Sequence, residues 1–116
     1  WRSRLRKVSG WISPAGSPLK LDGRPGTWSK DSVTHFDQRL VQALLRCAEE
    51  AGTELQTVVY DSAASDASHV YASGGAPRVG TVGIVRENSH GYEVARLSVF
   101  DNLLKTLVRF VETWRA

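Results

Sequence analysis

The stretch HFDQRLVQALLRCAEEAGTELQTVVYDSAASDASHVYASGGAPRVGTVGIV, residues 35–85, decides the fold. Its first part repeats apolar side chains at helical spacing, with Phe36, Leu40, Val41, Leu44, Leu45, Ala48 and Ala51 on one stripe. Gly52 then stands where a left-handed cap ends a helix. Over residues 55–60 the period shortens to two, and Thr57, Val58 and Val59 bring the β-branched stiffness of a strand. A small-residue turn over 61–65 leads into a shorter helix over 66–73, which Gly74 and Gly75 stop. Residues 79–85 are almost continuously apolar, as a central strand covered on both faces would be. Helix, strand, short helix and strand in alternation predict an α/β domain with a mostly parallel sheet.

Downstream, residues 86–96 form a polar loop. Ser98 followed by Asp101 resembles a capping box opening a last helix, with Val99, Leu103, Leu104, Leu107, Val108 and Val111 on its apolar face. Upstream, Gly10, Pro14, Gly16, Pro18, Gly23, Pro25 and Gly26 punctuate residues 1–34 and permit only short strands, such as 7–12 and 18–21. The chain therefore divides into a Gly/Pro-rich irregular segment, 1–34, and an α/β portion, 35–116.

With 116 residues there is material for one small domain. Apolar content of 41% and charged content of 23% are those of an ordinary globular chain, which argues against wholesale disorder. No apolar run is long enough to span a membrane, and no apolar signal segment follows the basic start. A sequence without methionine is expected to be a piece of something longer. Cys47 is the lone cysteine and lies on the apolar helical stripe, so it reads as a small buried side chain in a reducing, cytoplasmic setting. The net charge of +3 owes much to Arg2, Arg4, Arg6 and Lys7. No basic stripe with interleaved aromatics continues downstream, which speaks against a nucleic-acid partner.

Familiar catalytic signatures are missing. There is no GxSxG elbow, no GxxxxGK[ST] loop, no GxGxxG and no HExxH. Ser65, Asp66, Ser68 and His69 lie too close together to form a triad, which draws on separate segments. His35 and His69 read as helix-end or surface residues. Asp66 reads either as a first-turn acid favoured by the helix dipole or as a functional group.

What remains is an ordered series of short features: KLDGRP at 20–25, Ala48-Glu49-Glu50, LQTVVY at 55–60 and Ala64-Ser65-Asp66-Ala67. Gly75-Ala76-Pro77, Ser89-His90-Gly91-Tyr92-Glu93 and the Ser98 helix complete it. In order and spacing this series resembles the C-terminal part of the di-metal aminopeptidases of the glutamyl and deblocking type. Their strand, Thr-Asp-Ala turn, Gly-x-Pro step, Ile-His-Ser-Pro-x-Glu loop and closing helix follow one another in the same way. Here Ser65 replaces the Thr, Ala64 a Gly, Gly91-Tyr92 the Ser-Pro pair, and one residue fewer separates His90 from Glu93.

The resemblance implies a partial three-layer αβα domain, the C-terminal fragment of a zinc-peptidase-like fold. It makes His90 a ligand of a pair of divalent ions, zinc or cobalt, in the intact parent. Asp66 and Glu93 take orienting or substrate-proximal roles. The remaining ligands and the general base lie N-terminal to the matched region. No catalytic residue falls within this chain, which alone should hold no metal firmly and be inactive. The implied partners are a peptide substrate, the remainder of the parent catalytic domain and further copies in a homo-oligomer. The competing reading is a small non-enzymatic α/β module whose basic tail binds an acidic partner or nucleic acid. A related amidohydrolase or carboxypeptidase on the same scaffold is a third.

Overall fold

The structure, a computed structural model, describes residues 19–115. Its elements follow in the order β1 (Gly26–Lys30), α1 (Gln38–Glu50), β2 (Gln56–Val59), α2 (Asp66–Ala72), β3 (Thr81–Gly83) and α3 (Ser98–Thr113). The strand expected at 7–12 lies outside the described residues. Residues 19–21, the described part of the one expected at 18–21, carry no strand. The buried Gln56 amide takes the place of a ladder there. It accepts from the Lys20 N–H at 2.7 Å and donates to the Lys20 and Arg24 carbonyls at 2.9 and 3.1 Å.

α1 forms as its periodicity predicts. Asp37 caps it by accepting from the Arg39 and Leu40 N–H groups, and Val41, Leu44, Cys47 and Ala48 face inward. Gly52, at φ 79°, supplies the left-handed turn at the far end. The Thr53 N–H reaches back to the Ala48 carbonyl at 2.9 Å and satisfies an end group that would otherwise be orphaned.

The sheet order is β2-β1-β3. β1 pairs with β2 in parallel and with β3 in antiparallel register, so the sheet is mixed rather than mostly parallel. The reason lies in the link between β2 and β3. Its helix, α2, has only seven residues, which spans about 10 Å and does not carry the chain back along the sheet as a crossover helix would. β3 therefore starts opposite Trp28 and finishes opposite Gly26. It is also a three-residue strand at one side of the described sheet, not its centre; that place belongs to β1. Gly80 lets this segment approach α1, since a Cβ there would sit 3.2 Å from the Cβ of Leu40.

Trp28, Phe36, Val41, Val58, Tyr60 and Val85 make the main core, and Leu44, Ala48 and Leu55 a second cluster. The Trp28 ring stacks on Tyr60 at 5.1 Å and tilts against Phe36 at 6.3 Å. α3 packs along α1, burying Val99 and Thr106. The helix starts from Leu97, which makes no side-chain cap, in place of the expected Ser98 capping box. The Ser98 hydroxyl is instead pressed against Gly23, where a Cβ would overlap it. Of the predicted apolar face, Leu104, Val108 and Val111 are exposed, in a row with Leu97 and Phe100.

Burial pushes the Tyr60 phenol from its ordinary 10.0 up to about 12, slightly opposed by the positive charge of Arg86. An unfolded chain ionises this group near its ordinary value while the folded one resists. Stability is therefore complete below pH 10 and is lost as pH climbs to about 12, by up to about 2–3 kcal/mol. Melting curves from pH 8 upward are expected to fall more steeply above pH 10 for the natural chain than for Tyr60→Phe. Parallel curves for the two would refute it.

Candidate functional site

The parallel pair β1 and β2 finishes at one edge, and polar groups gather there. Asp31 follows β1 directly and is completely buried. Its Oδ1 accepts from the N–H groups of Val33 and Thr34, both at 2.9 Å, which closes an Asx turn that reverses the chain toward α1. Oδ2 is buried without a hydrogen-bond partner. Burial pushes the Asp31 carboxyl up, but the donors led by the Thr34 N–H outweigh it and hold the group below its ordinary value. Ser68 lies close by, and its hydroxyl is 2.6 Å from the Ser65 carbonyl, to which it donates.

Above this carboxylate, Ser65 and Ser68 cap the start of α2 reciprocally. The Ser65 N–H donates to Ser68 Oγ at 2.9 Å and the Ser68 N–H to Ser65 Oγ at 3.2 Å. Asp66 is the first residue of the helix and is exposed, where the dipole favours an acid. Ser32 and Ala63 tie the two turns together through backbone and hydroxyl bonds to the Ala63 carbonyl.

The second polar region is the loop after β3. Glu87 and Val94 close it as an antiparallel bridge, with N–H to carbonyl bonds at 2.9 and 3.2 Å. Within it Asn88 and His90 adopt left-handed backbone, φ 58° and 65°, a region that Asn and His tolerate better than most residues. Arg86 organises the interior by donating from Nε to Glu93 Oε1 at 2.9 Å and from Nη2 to the buried Ser89 hydroxyl at 3.2 Å. The same Glu93 oxygen accepts the backbone N–H of His90 at 3.1 Å. That N–H, with the Arg86 guanidinium, holds the Glu93 carboxyl below its ordinary value. The His90 side is exposed, and Glu93 meets it through the backbone rather than the ring.

Of the three residues singled out from sequence, His90 and Glu93 are thus joined. Asp66 shares no hydrogen bond or ion pair with either. Asp31 and Ser68 were met in the sequence without these roles, Ser68 only within a cluster too close for a triad, and Arg86 was not singled out. Only Asp31 carried a signal, as an aspartate followed by Ser-Val-Thr, a spacing suited to a side chain that caps its own turn.

A metal centre needs several converging donors. Among the described residues no three His, Cys, Asp or Glu side chains come together in that way. The His90 imidazole is exposed and Glu93 meets only its backbone, so these two residues do not by themselves make such a centre.

In structure, the chain is similar to a TET aminopeptidase from a marine-sediment archaeon of the Thaumarchaeota, with a TM-score of 0.76 at 17% identity. It is also similar to the TET1 peptidase of Pyrococcus horikoshii, with a TM-score of 0.66 at 20% identity. Each likeness covers 90% of this chain, but only 30% of the first protein and 28% of the second. The chain thus spans less than a third of either, and at these identities the likeness establishes the fold. Compared by sequence with curated proteins, the chain has no match. The sequence model of the M42 glutamyl aminopeptidases matches residues 19–106, most of the chain and all of its described strands. The chain belongs to the M42 glutamyl aminopeptidase family.

Proposed function

We propose that this chain is the C-terminal part of a metal-dependent aminopeptidase that removes N-terminal residues from peptides, and that it is inactive by itself. The observation that carries the reading is the family match over residues 19–106 in a chain that covers less than a third of each structural relative. In this reading His90 holds one of two divalent ions, zinc or cobalt, whose other ligands belong to the remainder of the catalytic domain. When bound, such ions polarise the scissile carbonyl and activate water. The chain's own contribution is positional. Glu93, fixed by Arg86, pins the His90 backbone in its left-handed turn, and the exposed imidazole is left for a partner. Asp66 takes an orienting place beside the peptide, at the start of α2.

The exposed row Leu97, Phe100, Leu104, Val108 and Val111 on α3 supports an incomplete domain, since a helix with apolar side chains on both faces calls for cover on both. The rest of the parent domain supplies that cover, along with the second helical layer of a three-layer sandwich. The whole assembles as a homo-oligomer in the cytoplasm. Assembly into a tetrahedron or a large octahedral shell is described for the Pyrococcus protein.

The test is a pair of proteins, this chain and the longer protein that contains it, assayed on aminoacyl anilides with zinc or cobalt. Turnover is expected only from the longer one, and His90→Ala in it should cost about tenfold or more in activity together with part of the bound metal. Turnover by the isolated chain, or full activity and metal content in the variant, would end the reading.

A further inference from the structure

An open cavity of about 590 Å³ lies against the exposed side of α1, away from both polar regions described above. Its wall carries Arg39, Arg46, Arg78 and Arg115 together with Trp114, and contains no carboxylate. We propose that this cavity binds a nucleoside polyphosphate, with the phosphates on the guanidinium groups and the base against the Trp114 ring.

Charge is the first argument. Elsewhere among the described residues three of the four arginines are neutralised by acids within 2.9 Å, Arg24 by Asp22 and Glu54, Arg86 by Glu93 and Arg109 by Glu50, while Arg96 donates to the Leu21 carbonyl. Around the cavity the pattern breaks. Arg39 and Arg46, about two turns apart on α1, have no acid within pairing distance among the described residues. Arg78 shares Asp37 at a longer 3.4 Å. Arg115 donates to the Trp114 carbonyl at 2.9 Å and has no acid partner among the described residues. Three guanidinium groups without an acid partner, beside a fourth that Asp37 partly offsets, repel each other, and an anion seated among them relieves that repulsion. A guanidinium presents a planar fork of donors that matches phosphate oxygens two at a time, so arginine rather than lysine suits this ligand.

The second argument is the aromatic wall. Trp114 is half-buried and stacks on Phe110 at 5.4 Å, which fixes its plane. It also lines, together with Phe110, a smaller cavity of about 190 Å³. A held indole face beside a cationic cluster is a stacking platform for a base. Gln38 and Gln42 add amide donors and acceptors at the same wall, suited to the polar edge of a base or a ribose. The volume is that of a small-ligand site, for which about 300–1,000 Å³ is usual. None of these residues enters the peptidase reading, so the two proposals stand or fall separately.

The test is calorimetric titration of the 116-residue chain with ATP, with tripolyphosphate and with adenosine, in EDTA and about 0.1 M salt. ATP is expected to bind saturably, one per chain, more tightly than tripolyphosphate, while adenosine alone does not bind. The double variant Arg39→Gln/Arg46→Gln, at two exposed positions, should keep its circular dichroism and lose at least about tenfold in ATP affinity. Trp114→Leu should bring ATP down to the affinity of tripolyphosphate and leave the latter unchanged. Absence of saturable ATP binding at millimolar concentration would overturn the proposal. So would unchanged binding in the double arginine variant, tripolyphosphate binding as tightly as ATP, or tighter binding of a single-stranded oligonucleotide than of ATP.

Discussion

Trp28→Ala is expected to cost about 3–5 kcal/mol, the usual penalty for emptying a buried aromatic site. Trp28 is 2% exposed in the middle strand of the described sheet. Its ring touches both halves of the fold, Tyr60 at the end of β2 and Phe36 at the entry to α1. Removing it leaves a hole bounded by Val41, Val58 and Val85, which belong to three separate segments and cannot all collapse inward together. Small domains hold only about 5–15 kcal/mol in total, so the loss takes a large part of the margin. A melting temperature lower by at least about 15 °C, and a lower urea midpoint with unchanged slope, would be the reading. Trp28→Phe keeps a ring against Tyr60 and should lose clearly less. An alanine variant melting within about 5 °C of the natural chain would show that this core is not where the fold is held.

That result would also bear on what the sequence could disclose. α1 was legible because a helix half in and half out of a core writes its period into the chain, as Val41, Leu44, Cys47 and Ala48 do. The burial of Cys47 followed from the same stripe. β1 was not legible. GTWSK offers no clean alternation and sits among Gly and Pro, and its partners are 29 and more residues away in Gln56–Val59 and Thr81–Gly83. Residues 79–85 looked central because an apolar run reports burial but not rank in a sheet. Here Val85 joins the core from beyond the end of β3. Likewise the apolar positions of α3 do not say which neighbour each will meet. Val99 is fully buried, while Val111 on the same helix is 76% exposed.

For the site, the sequence disclosed the residue types and not their company. His90 and Glu93 were visible as a pair, but the bond runs through the His90 backbone, a matter of the left-handed turn that Arg86 and Asn88 help to build. Asn88 contributes by donating from its amide to the Tyr92 carbonyl at 2.8 Å. A Cβ at Gly91 would come to 3.0 Å from the same amide, a tight approach that the glycine avoids. No pattern of spacing states such contacts in advance.

Asp31 gives the sharper experiment at this end of the sheet, because its two oxygens differ. Oδ1 holds two backbone N–H groups, while Oδ2 has none. Asp31→Ala strips both donors of their acceptor inside the protein and should cost about 2–4 kcal/mol. Asp31→Asn keeps an oxygen for those donors and gives up only a charged atom that no donor meets, so its cost should be near 1 kcal/mol or less. Acid adds an independent sign. Donors hold the folded carboxyl below its ordinary value of 3.8 despite burial, so its contribution is present above that pH and is lost as pH falls through the lower folded value. The gap in melting temperature between the natural chain and Asp31→Asn should therefore shrink, or reverse, once the carboxyl is protonated. A protonated Asp31 retains one accepting oxygen for Val33 and Thr34, which is the state the asparagine imitates. Melting scans of all three proteins at neutral pH and well below pH 3.8 decide the matter. If alanine and asparagine cost the same, the Asx turn is not what Asp31 supports; if the gap ignores pH, the charge is not what the turn stabilises.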